Sequence, residues 1–97
     1  MTRVMVRYKV KPERAEENAA LVRAVYDELH SSAPTDLTYA TFVLEDGVSF
    51  VHLATHDGDD NPLTQVAAFR RFQEHVRDRC VEPPVVARMR EVGSYRP

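Results

Sequence analysis

Between Leu37 and His56 the chain reads LTYATFVLE, then Asp46-Gly47, then VSFVHLATH. Two runs rich in β-branched and aromatic residues, joined by a dipeptide that tolerates positive φ, specify an antiparallel hairpin. Both of its strands are apolar on both faces. Ala40, Phe42 and Leu44 alternate with Leu37, Tyr39 and Val43 on the first, while Val48, Phe50 and Ala54 oppose Val51 and Leu53 on the second. An antiparallel strand with one wet face alternates apolar with polar residues. This hairpin therefore needs cover on two sides, and that requirement limits the folds open to the rest of the chain.

The flanking segments supply cover for one side. Val4, Val6, Tyr8 and Val10 alternate with Arg3, Met5, Arg7 and Lys9, the period of two of a strand. Pro12 then sets a helical φ, and Glu13, Glu16 and Glu17 put negative charge at a helix start. Ala15, Ala19, Val22, Tyr26 and Leu29 form the expected apolar stripe, with Asn18, Arg23 and Asp27 facing away and an end near Ser31 or Ser32. After the polar loop DGDDN, Asn61 and Pro62 provide a cap and a first helical position. A second helix is predicted from there, buried along Val66, Phe69, Phe72 or Gln73, Val76 and Cys80, with Arg70, Arg71, Arg77 and Arg79 on a solvated face. Glu82-Pro83-Pro84 cannot continue a helix, so Val85 to Tyr95 is predicted as a last strand, weakened by Gly93. Arg7 and Glu91 then meet across neighbouring strands if the first and last strands pair.

The order βαββαβ implies a ferredoxin-like α+β domain spanning 1–97: a four-stranded antiparallel sheet with two helices on one face. The second sheet face stays bare. Each large apolar side chain is worth roughly 1.5–3 kcal/mol when buried, so the expected partner is a second copy, the two sheets meeting in a homodimer.

Composition excludes several classes. With 97 residues, 43% hydrophobic and 29% charged, there is room for one core and no second domain. A net charge of −2 with interleaved signs gives no footprint for nucleic acid. No run approaches the roughly 20 apolar residues of a membrane span. The start, Met1-Thr2-Arg3-Val4, enters a strand pattern directly, so the expectation is a cytoplasmic protein. Cys80 is alone and is expected as a buried thiol. Phosphate loops, nucleophile elbows, cysteine metal clusters and HExxH patterns are absent.

The Lys-Pro-Glu corner between the first strand and a long helix, the run SFVHLATHD and the helix segment AAFRRFQEH resemble the antibiotic biosynthesis monooxygenase-like family of the dimeric α/β barrel superfamily. The resemblance implies a dimeric barrel with a pocket in each subunit between sheet and helices. It implies a cofactor-independent monooxygenase-like activity on a small aromatic or quinone-like molecule, with no metal and no cofactor. Non-catalytic small-molecule binding is the alternative, and haem binding or degradation a second, with His75 as axial ligand. This chain departs from the family pattern in having no Trp, with His56 at the matching position near the end of the third strand. Its first strand offers Val4, Val6 and Tyr8 where a polar Asn is common on a pocket-facing strand.

Few side chains in the sequence suit chemistry. His52 and His56 share a strand face but lie roughly 13 Å apart at 3.3 Å per residue, too far to bind one metal directly. Either could act as a general base, since imidazole titrates near neutrality. His52 either packs within the sheet or faces a ligand, and His56 is expected exposed or bonded to the DGDDN loop. His75 either enters the gap between sheet and helix or rides on the surface. His52 and His75 are taken as the catalytic candidates, and Tyr8, Tyr39, Phe50, His56 and Phe72 as the ligand-binding ones. Filling the core is the competing role for the two tyrosines.

Overall fold

The computed structural model describes residues 1–97. Strand β1 spans Thr2–Val10, helix α1 Ala15–Ser32, β2 Leu37–Val43, β3 Ser49–His56, α2 Ala67–Glu74, α3 Val76–Arg79 and β4 Cys80–Met89. The four strands form one antiparallel sheet in the order β2-β3-β1-β4, the ferredoxin-like arrangement that the element order implies. No helix is long and apolar enough to cross a membrane.

The hairpin forms where the sequence places it. Gly47 takes a φ of 75°, and the Asp46 carboxylate accepts from the backbone N–H groups of Val48 and Ser49 and from the Ser49 hydroxyl. These bonds fix the turn and with it the register, in which Ala54 lies opposite Val4 on one side and Tyr39 on the other. One sheet face carries Val6, Tyr8, Val10, Phe50, His52, Ala54 and Tyr39, and the core forms where α1 and α2 cover it with Val22, Val25, Phe69 and Phe72. The opposite face presents Met5, Val51, Leu53, Phe42 and Val85, of which Phe42 is 52% and Val85 65% exposed. The hairpin is thus apolar on both sides, and its own helices cover only one.

Six predictions are corrected. The stripe of α1 runs through Asn18, Val22 and Val25, so Asn18, expected to face solvent, is wholly buried. A stripe at 18, 22, 25 and 29 has the same 3-4 spacing as the one predicted, rotated by less than a turn.

The second helix is not continuous. A 3-10 turn at Pro62–Gln65 precedes an extended Val66, then α2, then a break at His75 and the single turn of α3. Asn61 does cap the first turn, accepting from the Leu63 N–H. The restart at α2 is held by the Glu28 carboxylate of α1, which accepts from the N–H groups of Ala67 and Ala68 at 3.0 and 2.9 Å. Those donors have no partner within their own helix. At the other end the Arg79 guanidinium donates to the Phe72 carbonyl at 2.9 Å.

Arg79 itself is the third correction. It is 1% exposed rather than solvated. Cys80, expected within the helix stripe, is instead the half-buried first residue of β4.

Finally, β4 begins before the two prolines and ends at Met89, short of Gly93. Its pairing with β1 shifts register between Arg7 and Lys9, opposite the prolines, which have no N–H to give the ladder. Glu91 approaches Arg3 at 4.0 Å, not Arg7, which lies opposite Val85.

Candidate functional site: a buried polar rung beside a cavity

The core contains an unbroken line of polar side chains. The Nε–H of Arg79 donates to Asn18 Oδ1 at 3.0 Å, and Asn18 Nδ2 donates to the Tyr8 hydroxyl at 2.9 Å. Tyr8 Oη lies 2.7 Å from His52 Nε2. On the other side of the ring, His52 Nδ1 meets Tyr39 Oη at 2.5 Å and Thr41 Oγ1 at 3.1 Å, and Thr41 continues to the Tyr26 hydroxyl at 2.8 Å. Three of the four strands contribute through their alternation. Tyr8, His52 and Thr41 occupy the helix-facing side of β1, β3 and β2, and the register sets His52 directly beside Thr41. Asn18 reaches down from the second turn of α1, while Arg79 closes the far end from α3.

Burial governs the charge states. His52 is 4% exposed, and desolvation lowers its pKa from 6.5 to about 4, so the ring is neutral at pH 7. Desolvation also raises the pKa of Tyr8, partly opposed by the Asn18 hydrogen bond and the positive charge of Arg79. Tyr39 is raised for the same reason, against a hydrogen bond from Thr41. Both remain phenols. Arg79 forms no ion pair with a carboxylate. Its partners are Asn18, the Phe72 carbonyl and the face of the Phe72 ring, 5.3 Å from the guanidinium carbon. Burial pulls its pKa downward from the ordinary value.

Beside the rung, between the sheet and α2, lies a cavity of about 120 Å³. Its walls are mainly apolar, including Val4, Val6, Ala54, Leu63, Phe69, Phe72 and Val76, and its polar wall is formed by Tyr8, Tyr39 and His52, with Asn61 and Gln73. Pro84 and Val86 of β4 stand at its rim. A larger, open depression of about 830 Å³ at the end of α1 is lined by Glu28, Asp36, Asp59 and Asp60 and holds none of the predicted site residues.

Of the residues predicted from sequence, the cavity brings together His52, Tyr8, Tyr39 and Phe72. Phe50 is buried one step away, its ring stacked on Tyr8 at 5.5 Å. His56 is buried and hydrogen-bonded to the Asp57 carbonyl of the DGDDN loop at 3.4 Å, the second of its two expected placements, and does not line the cavity. His75 does not join the site. Its side chain is 66% exposed on the outer surface, between Glu74 and Asp78.

Asn18, Thr41 and Arg79 were not singled out in the sequence, and Tyr26 was read only as packing. A signal for two of them was present. Asn18 heads the series 18, 22, 25, 29, and Arg79 ends the series 69, 72, 76, 79. Each is the one polar member of an apolar stripe with 3-4 spacing.

No protein-family model matches this sequence, and no curated protein does. Solved structures do match its fold. One, described as an antibiotic biosynthesis monooxygenase, is 21% identical with a TM-score of 0.70, over 96% of this chain and 100% of the other. The Mycobacterium tuberculosis protein Rv0793 is 15% identical with a TM-score of 0.70, over 96% of each chain. A Nitrosomonas europaea protein of unknown function is 12% identical with a TM-score of 0.70, over 99% of this chain and 93% of the other. At these identities the likeness is one of architecture, and the chain has the ferredoxin-like α+β fold of the antibiotic biosynthesis monooxygenases.

Proposed function

We propose that this protein is a cofactor-independent, monooxygenase-like enzyme that takes a one-ring phenol or hydroquinone-type molecule into the cavity under α2. The observation that carries the reading is the convergence of aromatic and aliphatic walls on the His52, Tyr8 and Tyr39 side chains. Size narrows the ligand. An apolar cavity of about 150 Å³ admits a benzene ring, so about 120 Å³ sets one ring as the upper limit and rules out a fused system. A dihydroxyarene and O2 can give a hydroxyquinone and water, the ring itself supplying all four electrons. Such chemistry needs the ring hydroxyl to give up its proton. Neutral His52, with a hydrogen-bonding neighbour on each nitrogen, is suited to pass a proton along rather than to keep it.

The test is O2 uptake with one-ring hydroquinones. His52→Ala is expected to lower turnover at least about 100-fold, the usual span of acid-base catalysis, and undiminished turnover removes His52 from the mechanism. A non-catalytic binding role is favoured by a different observation: no buried side-chain N or O atom lacks a partner. In that case the ring binds and perturbs the Tyr8 and His52 resonances while no O2 is consumed. The haem reading loses its expected axial ligand, because His75 lies on the outer surface, away from the cavity.

The bare sheet face supports a homodimer. Phe42, Leu53, Met5 and Val85 form an apolar layer on it, and a second copy presenting the same layer covers it by closed symmetry.

A further inference from the structure

We infer that Asn18 and Arg79 are positioning residues that fix the direction of every proton in the buried rung, holding His52 as the tautomer with Nδ1 protonated and Nε2 accepting. The tautomer follows from counting donors and stands on the ligand-free protein. Its consequence for ligand choice rests on the function proposed above.

A guanidinium only donates. Asn18 must therefore turn its carbonyl oxygen to Arg79 and its amide N–H to Tyr8, where the separations are 3.0 and 2.9 Å. The Tyr8 oxygen thus accepts from Asn18. If His52 carried its proton on Nε2, Tyr8 would accept from that side as well, and its own hydroxyl proton would have no acceptor in the rung, in a residue only 2% exposed. Leaving such a donor buried and unpaired is costly. With the proton on Nδ1, the Tyr8 hydroxyl has its acceptor. Tyr8 donates to Nε2, Nδ1–H donates to Tyr39 with Thr41 also in reach, and Thr41 donates to Tyr26, while Tyr39, only partly buried, borders an open depression beside α1 and can turn its own hydroxyl proton to water. Tyr26 is half-buried, so its hydroxyl can end the series in water. The asymmetry comes from the two ends. One is a buried cation that cannot accept, the other a phenol that reaches solvent.

This polarity has a consequence at the cavity. Tyr8 has its proton committed to His52 and offers the cavity a lone pair, so the rung meets a ligand as an acceptor. A ligand with a hydroxyl donor is matched, and one with only carbonyl acceptors is not. Between two rings of the same size, the hydroquinone is preferred to the quinone.

Long-range 1H-15N spectra of the imidazole rings test the assignment, with His52→Asn identifying the His52 signals. The expected wild-type result is a protonated Nδ1 and an unprotonated Nε2, and a protonated Nε2 overturns the proposal. In Asn18→Asp a carboxylate, which only accepts at neutral pH, replaces the amide. Tyr8 then donates to it, and the His52 tautomer is expected to invert. A folded Asn18→Asp protein with an unchanged tautomer refutes the positioning role. The wild-type spectrum decides the assignment even if that variant is unstable. Titration of a Cys80→Ser protein with 1,4-hydroquinone and 1,4-benzoquinone is expected to show about tenfold tighter binding of the hydroquinone. Equal affinities or a preference for the quinone overturn the acceptor polarity. Failure of both rings to bind instead overturns the pocket reading and leaves the tautomer to the spectra.

Discussion

Burial that keeps the His52 ring neutral has a measurable effect on acid stability. Above pH 6.5 the ring is neutral in both the folded and the unfolded chain and contributes no pH dependence. Between pH 6.5 and about 4 the unfolded chain takes up a proton that the folded chain does not, so stability falls toward acid. A depression from 6.5 to about 4 corresponds to roughly 3 kcal/mol at most. Denaturant unfolding from pH 7 down to pH 4 is expected to show this loss, and His52→Gln to remove most of it; parallel curves for the two proteins argue against a buried neutral ring. At this scale the sequence was only partly legible. Tyr8, Tyr39, His52 and Phe72 could be named because strand alternation fixes which residues share a face. His75 stayed ambiguous because it adjoins the stripe residue Val76, and the break in the helix turns it outward. Asn18 and Arg79 were missed because a polar residue on a helix is ordinarily read as solvated. Their partners lie 10 and 61 residues away respectively, too distant for local pattern to show.

The elements differ in how far local chemistry determines them. The hairpin, with its own Asp46 and Gly47 chemistry, forms as read. The segment after Pro62 does not, since the interactions that break and restart it come from elsewhere. Glu28 lies 39 residues before Ala67, and its carboxylate supplies the acceptor that the first N–H groups of α2 lack. Backbone bonds from Ala67 and Ala68 lower the Glu28 pKa, most strongly that of Ala68. Glu28→Gln keeps the shape but weakens the acceptor. It is expected to reduce the thermal midpoint and to raise amide exchange at Ala67 and Ala68 while leaving α1 protected. Unaltered exchange at those two amides means that the carboxylate does not hold the start of α2.

For the whole molecule, the exposed sheet layer makes a clear prediction about assembly. Leu53 lies at the centre of the bare face, on an inner strand. Leu53→Glu is expected to convert a dimer into a folded monomer by light scattering at micromolar concentration, with the helix-covered core unaffected. A wild-type chain that is itself monomeric under those conditions refutes the sheet-to-sheet pairing. Architecture was the most legible level, because two-sided apolarity in the hairpin and the order of elements together leave few arrangements. The extent of β4 was less so, since Pro83 and Pro84 suggest a boundary where the chain in fact continues extended.

Those prolines also bear on which associations are open to the sheet. Two adjacent residues without an N–H sit where the ladder with β1 slips register, so β4 is both short of donors and bulged at that point. An incoming strand from another molecule would find a gap at that rung. The margin carries Val81, Val85 and Val86, all more than half exposed, and is otherwise the kind of border along which chains polymerise. Imino acids at that point make the β4 border a poor template for strand addition while leaving the broad flank of the sheet free to meet a partner.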